Sequence, residues 1–545
     1  MSAAFRIVPT LYDKDGHPYC QSVMSPKENT VRAKCILPPD KVIPVIFVPG
    51  IMGSNLGTRN IKANEDGIAW YPDDKLWAIE FMGYKAPMRQ LVLDPSKTYA
   101  ASLSNIPDGE SPFFAQAPKA AQKNWKAEYQ RRGWGTVMLS SYGPLLYHLE
   151  FQLNRIYQTG TIAQPWRDLL QSQGKQWGEM QGYSKLEESE LFKAGDYWYP
   201  VHAVGYNWLQ SNGEAGKYLA GQINAFTAHY RKLGYPCEKV ILVTHSMGGL
   251  VARAAAHPGM GGAGDKILGI VHGVQPATGA ATAYKRVRAG FESSLKPVDY
   301  FTAKTLGWSG EEVTAVFANS PGALQLLPSK LYPKGWLRAN VQWRSSAADA
   351  LVLPKTDPYE EIYRVKDKWW RLVDPALIDP AKMIAKALKN PWGEYLKNLN
   401  KAESFHDDLH DFYHASTWVH YGADPKHKAW GHVRWRSLGS SPAITGEDLP
   451  DARLRYDDRL GTLVLQAPLA KPKPTGTYDS SWNHIIDVPD SDGDGTVPHE
   501  SGSAPAGKVK FITKMTGFDH QGSYQNLNVQ ALTLYCVVKI AQGAT

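Results

Sequence analysis

Short runs of branched apolar residues recur along the chain, and turn-forming residues bound them. Val42 to Val48, Val240 to Val243 and Ile267 to Val271 are each too short for a buried helix and read as buried strands; Thr417 to Tyr421 and Val509 to Met515 read as further strands of the sheet. Tyr197 to Gly205 reads as one more. Between these runs the spacing turns helical: Tyr218, Leu219, Ile223 and Phe226 fall on one helix face, and Leu250 to Ala256 reads as a helix directly after Gly248-Gly249. Val529 to Ile540 reads as a closing helix. Strand and helix alternate from 42 to 279, which predicts an α/β fold with a mostly parallel central sheet and helices on both faces.

From about 280 to 415 the alternation stops. Trp369-Trp370, together with a helix capped by Asp379 with Pro380 in its first turn and Met383, Ile384, Ala387 and Leu388 along one side, predict a large inserted cap, placed to serve as a lid. The sheet resumes at Thr417 and is interrupted by an excursion of strands that includes Gly461 to Leu465. The expected organisation is an N-terminal extension over 1–41, a first core segment over 42–279, a cap or lid over 280–415, and a second core segment over 416–545 that contains the β excursion.

The stretch Thr244-His245-Ser246-Met247-Gly248 sits where the strand ending at Val243 meets the helix beginning near Leu250. A serine at a sharp strand-to-helix turn is a nucleophile elbow: the turn lifts the hydroxyl out at the carboxyl end of the sheet, and small flanking residues let strand and helix pack closely. Thr244 stands where the pattern GxSxG has its first glycine, a mild departure if the backbone there needs no positive φ. A nucleophile of this kind needs a base, an acid to orient the base, and donors for an oxyanion. Pro49-Gly50-Ile51-Met52-Gly53 follows the first buried strand, and a glycine-bearing turn there exposes backbone N–H groups. The N–H of Ile51 or Met52, with that of Met247, is the expected oxyanion hole. Downstream, Asp494 lies in Asp490-Ser491-Asp492-Gly493-Asp494-Gly495, after the apolar pair Ile485-Ile486, and His520 follows the last strand. Ser246, Asp494 and His520 are therefore the expected catalytic set, with Asp490, Asp492, Asp519 and Glu500 as competing acids.

Two stretches imitate metal sites. Asp490, Asp492 and Asp494 occupy the first, third and fifth places of an EF-hand loop with Gly495 at the sixth, but the twelfth place is Ser501 rather than Glu. His406, His410 and His414 are spaced four apart, which would put three imidazoles near one helix face; a polar face beside the site is the favoured reading. The four cysteines show no CxxC spacing. No metal and no cofactor is expected.

Composition narrows the partners. A formal net charge of +8 over 545 residues is modest, and the cationic residues are spread along the chain, which favours approach to an anionic membrane surface and argues against nucleic acid. The 18 Trp and 28 Tyr suit surfaces that are apolar at one end and wet at the other. The first residues carry no charged-then-apolar signal peptide and no run reaches a spanning length, so the chain is expected to be made in the cytoplasm and, if it leaves, to do so without a cleaved signal.

Taken together, Val48 to Leu56, Tyr206-Asn207-Trp208, Thr244 to Gly249, Gly493-Asp494-Gly495-Thr496-Val497 and Gly517-Phe518-Asp519-His520 resemble the lecithin:cholesterol acyltransferase-like branch of the α/β-hydrolases, whose Ser, Asp, His chain order they reproduce. The resemblance implies Ser246 as nucleophile, Asp494 as acid and His520 as base, acting on phospholipid or other lipid esters by hydrolysis or by acyl transfer to an alcohol. That family usually has Tyr-Asp-Trp at 206–208, where Asn207 stands here. The long insertion and missing signal peptide also look like the antibacterial lipase effectors of the type VI secretion system, which implies delivery to a target cell and an immunity protein or a secretion-apparatus component as partner. From another class comes a catalytically silent binding protein on the same scaffold, against which the complete Ser, Asp, His order argues.

Overall fold

The computed structural model describes residues 5–8, 11–13, 18–21, 32–35, 39–60, 65–106, 126–158, 161–172, 174–292, 297–342, 348–439, 446–467 and 481–544. Its central sheet has seven strands: β1 (Val45–Val48), β2 (Glu179–Gln181), β3 (Val201–Ala203), β4 (Val240–His245), β5 (Ile267–Gly273), β6 (Thr417–Gly422) and β7 (Phe511–Met515). Their order is β2-β7-β6-β5-β4-β1-β3, and every pairing is parallel except that of β2 with β7 at one edge.

Both faces of this sheet are covered, which explains why strands such as β4 are apolar throughout rather than alternating. Ile241 and Val243 point into a core shared with α1 (Leu139–Leu153) and the C-terminal helix, whereas Val240 and Leu242 point into a second core built on α2 (Asn212–Lys232) and α3 (Gly248–Ala256). The period of two along the strand thus divides one apolar run between two layers. Two expected strands are split by proline. Val42 pairs with Trp198 in a short separate ladder, and the chain re-enters the main sheet at Val45 and Val201. Pro44 and Pro200 have no N–H to give at the crossing, and their carbonyls accept instead from Ile241 and Val45.

The inserted region after α4 (Ala281–Ala289) and the later excursion form one body. Leu337–Ala339 and Leu351–Leu353 pair into the same six-stranded sheet as Val433–Ser437, Arg453–Asp457, Thr462–Gln466 and Ser481–Ile486. One aromatic core containing Tyr284, Trp336, Trp369, Trp435 and Trp482 lies beneath it, together with residues of α5 (Pro391–Leu409). Packing therefore joins two segments that chain order separates at 415. The helix expected from Pro380 to Leu388 is only a single turn, Met383–Lys386. Lys382 adopts a left-handed φ of 56°, and the Asp379 carboxylate accepts from Ala385 N and the Gln90 side chain instead of capping a first turn. The apolar closing run forms α6 (Leu527–Ala541), which lies almost wholly buried against the first of the two cores.

Candidate active site

Ser246 occupies the turn between β4 and α3 with φ of +52°, a conformation that a non-glycine residue holds only where its surroundings fix it. Its N–H is held by the Gly273 carbonyl of the neighbouring strand at 2.9 Å. The start of α3 presses on the end of β1: a Cβ on Gly248 would lie 2.4 Å from the Val48 carbonyl oxygen, so glycine is required there. The first position needs none, because Thr244 is an ordinary strand residue. Its hydroxyl is paired with His272 Nδ1 at 3.0 Å, which is why a β-branched polar residue fits there.

His520 and Asp494 reach this serine from two other parts of the chain. His520 Nε2 is 2.8 Å from Ser246 Oγ, and His520 Nδ1 is 2.8 Å from Asp494 Oδ2. A carboxylate only accepts, so Nδ1 carries the proton and Nε2 is bare toward the hydroxyl. The other carboxylate oxygen of Asp494 accepts from the N–H groups of Thr496 (3.0 Å) and Val497 (2.7 Å), and the His520 N–H donates to the Asp494 carbonyl (2.7 Å). Asp494 is 1% exposed and the His520 side chain 14%, so the carboxylate is sealed while the imidazole keeps an open edge.

Asp494 does not follow a strand of the central sheet in sequence, as its position after Ile485-Ile486 suggested; those residues belong to the cap sheet. The chain leaves β6 after Gly422, builds four of the six strands of the second sheet, and returns so that Gly493 pairs with Asp424. A Cβ on Gly422, the last residue of β6, would touch Asp494 Cβ at 2.8 Å. In space Asp494 thus lies at the carboxyl end of β6, beside His520 past the end of β7.

The expected oxyanion turn lies against the serine. Gly53 N bonds the Gly50 carbonyl at 3.1 Å, closing a tight turn in which Met52 has φ of +62°. A Cβ on Gly50 would be 2.9 Å from Ser246 Cβ. The Trp70 indole N–H holds the Met52 carbonyl at 2.7 Å, turning that peptide's oxygen away, and Tyr206 OH bonds the Pro49 carbonyl at 3.0 Å. Among the described residues, the N–H groups of Ile51, Met52 and Met247 make no backbone hydrogen bond. Asn207, which stands where the family acid would be, bonds Thr98 O at 2.9 Å and Thr98 Oγ1 at 3.0 Å, so it staples a neighbouring loop.

The competing acids are engaged elsewhere. Asp490 accepts from Gly431 N, His432 N and His432 Nδ1; Asp519 caps Gly522 N; Glu500 takes the Ser491 hydroxyl; Asp492 is exposed. The three spaced histidines do not converge. His406 is half-buried and held between Tyr359 OH and the Gln325 carbonyl, α5 ends before His410, and His414 bonds the Gly264 carbonyl. Among the described residues no cluster of three His, Cys, Asp or Glu could hold a metal ion.

Two supporting residues escaped the sequence reading. Asp424, at the end of β6, accepts from Gly517 N at 2.7 Å and so fixes the loop that carries His520; burial would raise its carboxyl, but the Lys426 and Gly517 N–H groups win and hold it low. Its position one turn past a predicted strand end was the available signal. Tyr142 on α1 had none, because only the fold brings α1 under the elbow.

Burial also pushes several imidazoles far below their usual range: His245 and His272 to about 3, and His406 and His420 to about 4. Each is neutral when folded but takes a proton when unfolded below about pH 6.5. Between about pH 6.5 and 4 the unfolded state binds more protons, so stability falls as pH falls through that window. Thermal midpoints measured from pH 8 to 4 should be flat above about 6.5 and drop steadily below it, and replacing His420 by Phe should lessen the slope.

The sheet order and the serine turn at the end of β4 define an α/β-hydrolase. Residues 195–296, from the approach to β3 through α4, match the PGAP1-like alpha/beta domain. Across nearly the whole chain the protein is similar to a chain of the crystal structure of the Tle4-Tli4 complex, with 30% identity and a TM-score of 0.74, covering 92% of this chain and 98% of that one. The chain belongs to the α/β-hydrolase family that includes Tle4. No curated protein sequence matches it.

Proposed function

We propose that the protein is a serine lipase of the phospholipase type, which cleaves acyl esters of membrane lipids through an acyl-enzyme on Ser246. The observation that carries this reading is the unbroken line of two 2.8 Å hydrogen bonds from Asp494 through His520 to Ser246. In this reading His520 Nε2 takes the serine proton as Oγ attacks the ester carbonyl, Asp494 stabilises the imidazolium, and the oxyanion is received by Met247 N–H with that of Ile51 or Met52. His520 then returns the proton to the leaving alcohol. Water, activated by the same imidazole, releases the fatty acid.

Delivery to a foreign membrane is part of this reading, and rests on the long insertion and on the likeness to a chain of the Tle4-Tli4 complex. Among the described residues no helix is long and apolar enough to cross a membrane. The similar chain was crystallised as a Tle4-Tli4 complex, and a protein that neutralises this lipase before delivery is proposed as its partner here.

The test is release of fatty acid from vesicles of mixed phosphatidylethanolamine and phosphatidylglycerol, followed by mass spectrometry with and without a long-chain alcohol. Free fatty acid as the main product supports a hydrolase. A fatty ester formed at the expense of free acid would make the enzyme a transferase, and no product in either arm would overturn the lipid-ester reading.

A further inference from the structure

Below Ser246, three catalytic segments from distant parts of the chain are tied together by two side chains outside the Ser, Asp, His set. His245, one residue before the serine, is 1% exposed, and its Nε2 lies 2.9 Å from the carbonyl oxygen of His520. Its Nδ1 lies 3.1 Å from the hydroxyl of Tyr142, also 1% exposed. A carbonyl can only accept, so Nε2 carries the proton; Nδ1 is then bare and accepts from the tyrosine O–H. The two lone pairs left on that oxygen face Gly50 N, at 3.4 Å, and a hydrogen bond from the Gln521 side chain.

The tyrosine hydroxyl thus touches the oxyanion turn through Gly50, the elbow through His245 and the base loop through Gln521. His245 closes the circuit by holding the base's own carbonyl, whose N–H is already held by Asp494. Both peptide groups of His520 are fixed to its neighbours, in addition to both ring nitrogens. The space is shaped for this pair: a Cβ on Gly50 would strike His245 Nδ1 at 2.9 Å, and one on Gly53 would strike Tyr142 OH at 2.6 Å. Burial, and then the nearby His520 ring, hold His245 neutral, so it does not compete for the proton that His520 must carry.

We propose that Tyr142 and His245 are positioning residues that lock the Gly50 turn, the serine elbow and the His520 loop into one register, setting the distance between the base and the oxyanion donors. This rests on the serine-lipase reading above. Attack requires base, serine and oxyanion donors to be aligned together, and a misplacement of about 1 Å can cost about 100-fold in rate. The relay acts on alignment rather than on substrate binding, so its loss falls on kcat and leaves KM nearly unchanged.

The experiment compares wild type with Tyr142→Phe, His245→Phe, His245→Gln and His245→Asn, measuring kcat and KM on a soluble ester and the rate of fluorophosphonate labelling at Ser246. Tyr142→Phe and His245→Phe are expected to lower kcat and labelling rate about 10- to 100-fold, with KM within about twofold. A glutamine amide nitrogen reaches close to the imidazole Nε2 position, whereas an asparagine amide reaches only Nδ1. Each amide therefore keeps one of the two bonds, His245→Gln that to the His520 carbonyl and His245→Asn that to Tyr142, and both should be slowed about as much as Tyr142→Phe. The double Phe variant should be no slower than the slower single one, since both cut the same relay. If His245→Phe fails to fold by near-ultraviolet circular dichroism, Tyr142→Phe, which loses one oxygen, carries the test. Labelling of all folded variants at the wild-type rate, or a loss that falls on KM rather than on kcat, overturns the relay alone. Absence of labelling in the wild type overturns the serine-lipase reading and the relay with it.

Discussion

Ser246→Ala is expected to lower kcat for ester hydrolysis by about 10⁴- to 10⁶-fold, the range found when a serine nucleophile is removed, while leaving the fold intact. The size of the loss follows from the geometry. The hydroxyl lost is the group that His520 faces at 2.8 Å, and no described side chain of Asp490, Asp492 or Asp519 is aimed at the same place to substitute for it. Alanine can hold the turn that serine holds, because the φ of +52° is enforced by the Gly273 carbonyl on one side and by the tight seat of Gly248 on the other. A circular dichroism spectrum matching wild type, with fatty acid release at background, is the expected result. Residual activity above about one per cent would place the nucleophile elsewhere.

Asp494→Asn should cost nearly as much, about 10³- to 10⁴-fold in kcat. The amide oxygen would keep the two bonds from Thr496 N and Val497 N, which leaves the amide nitrogen facing His520 Nδ1. A donor there forces the imidazole into its other tautomer, with Nε2 protonated toward Ser246 and unable to take a proton. Little else need move, since the loop backbone is also held by the His520 N–H on the Asp494 carbonyl. Asp492→Asn, two residues away and exposed, should stay within about twofold of wild type. The reverse ranking in a soluble-ester assay would move the acid to 492.

What could be read from sequence divides along physical lines. Strands buried on both faces and helices of strong period were legible, as was the elbow, because the turn at Ser246 depends on residues adjacent in sequence. His520 was legible for the same reason, following β7 directly. The nearness of Asp494 to His520 was expected for an incomplete reason: its loop resembled an acid turn, but its place at the end of β6 is produced by the Asp424–Gly493 pairing that closes a long excursion. No local pattern shows that closure, nor that strands near 337 and 433 share one sheet. The helix after Asp379 failed because Gln90, far away in sequence, competes for its cap. Tyr142 was invisible, since nothing on α1 marks a tyrosine that will meet the elbow from below.

Activation of Ser246 as a nucleophile by His520 and Asp494 is decided by peptide mass spectrometry after reaction with a fluorophosphonate. A single phosphonyl adduct on Ser246, formed rapidly in the wild type and at least about 100-fold more slowly in His520→Ala, is the predicted result. An adduct on another residue, or one on Ser246 that forms at the same rate without His520, would contradict it.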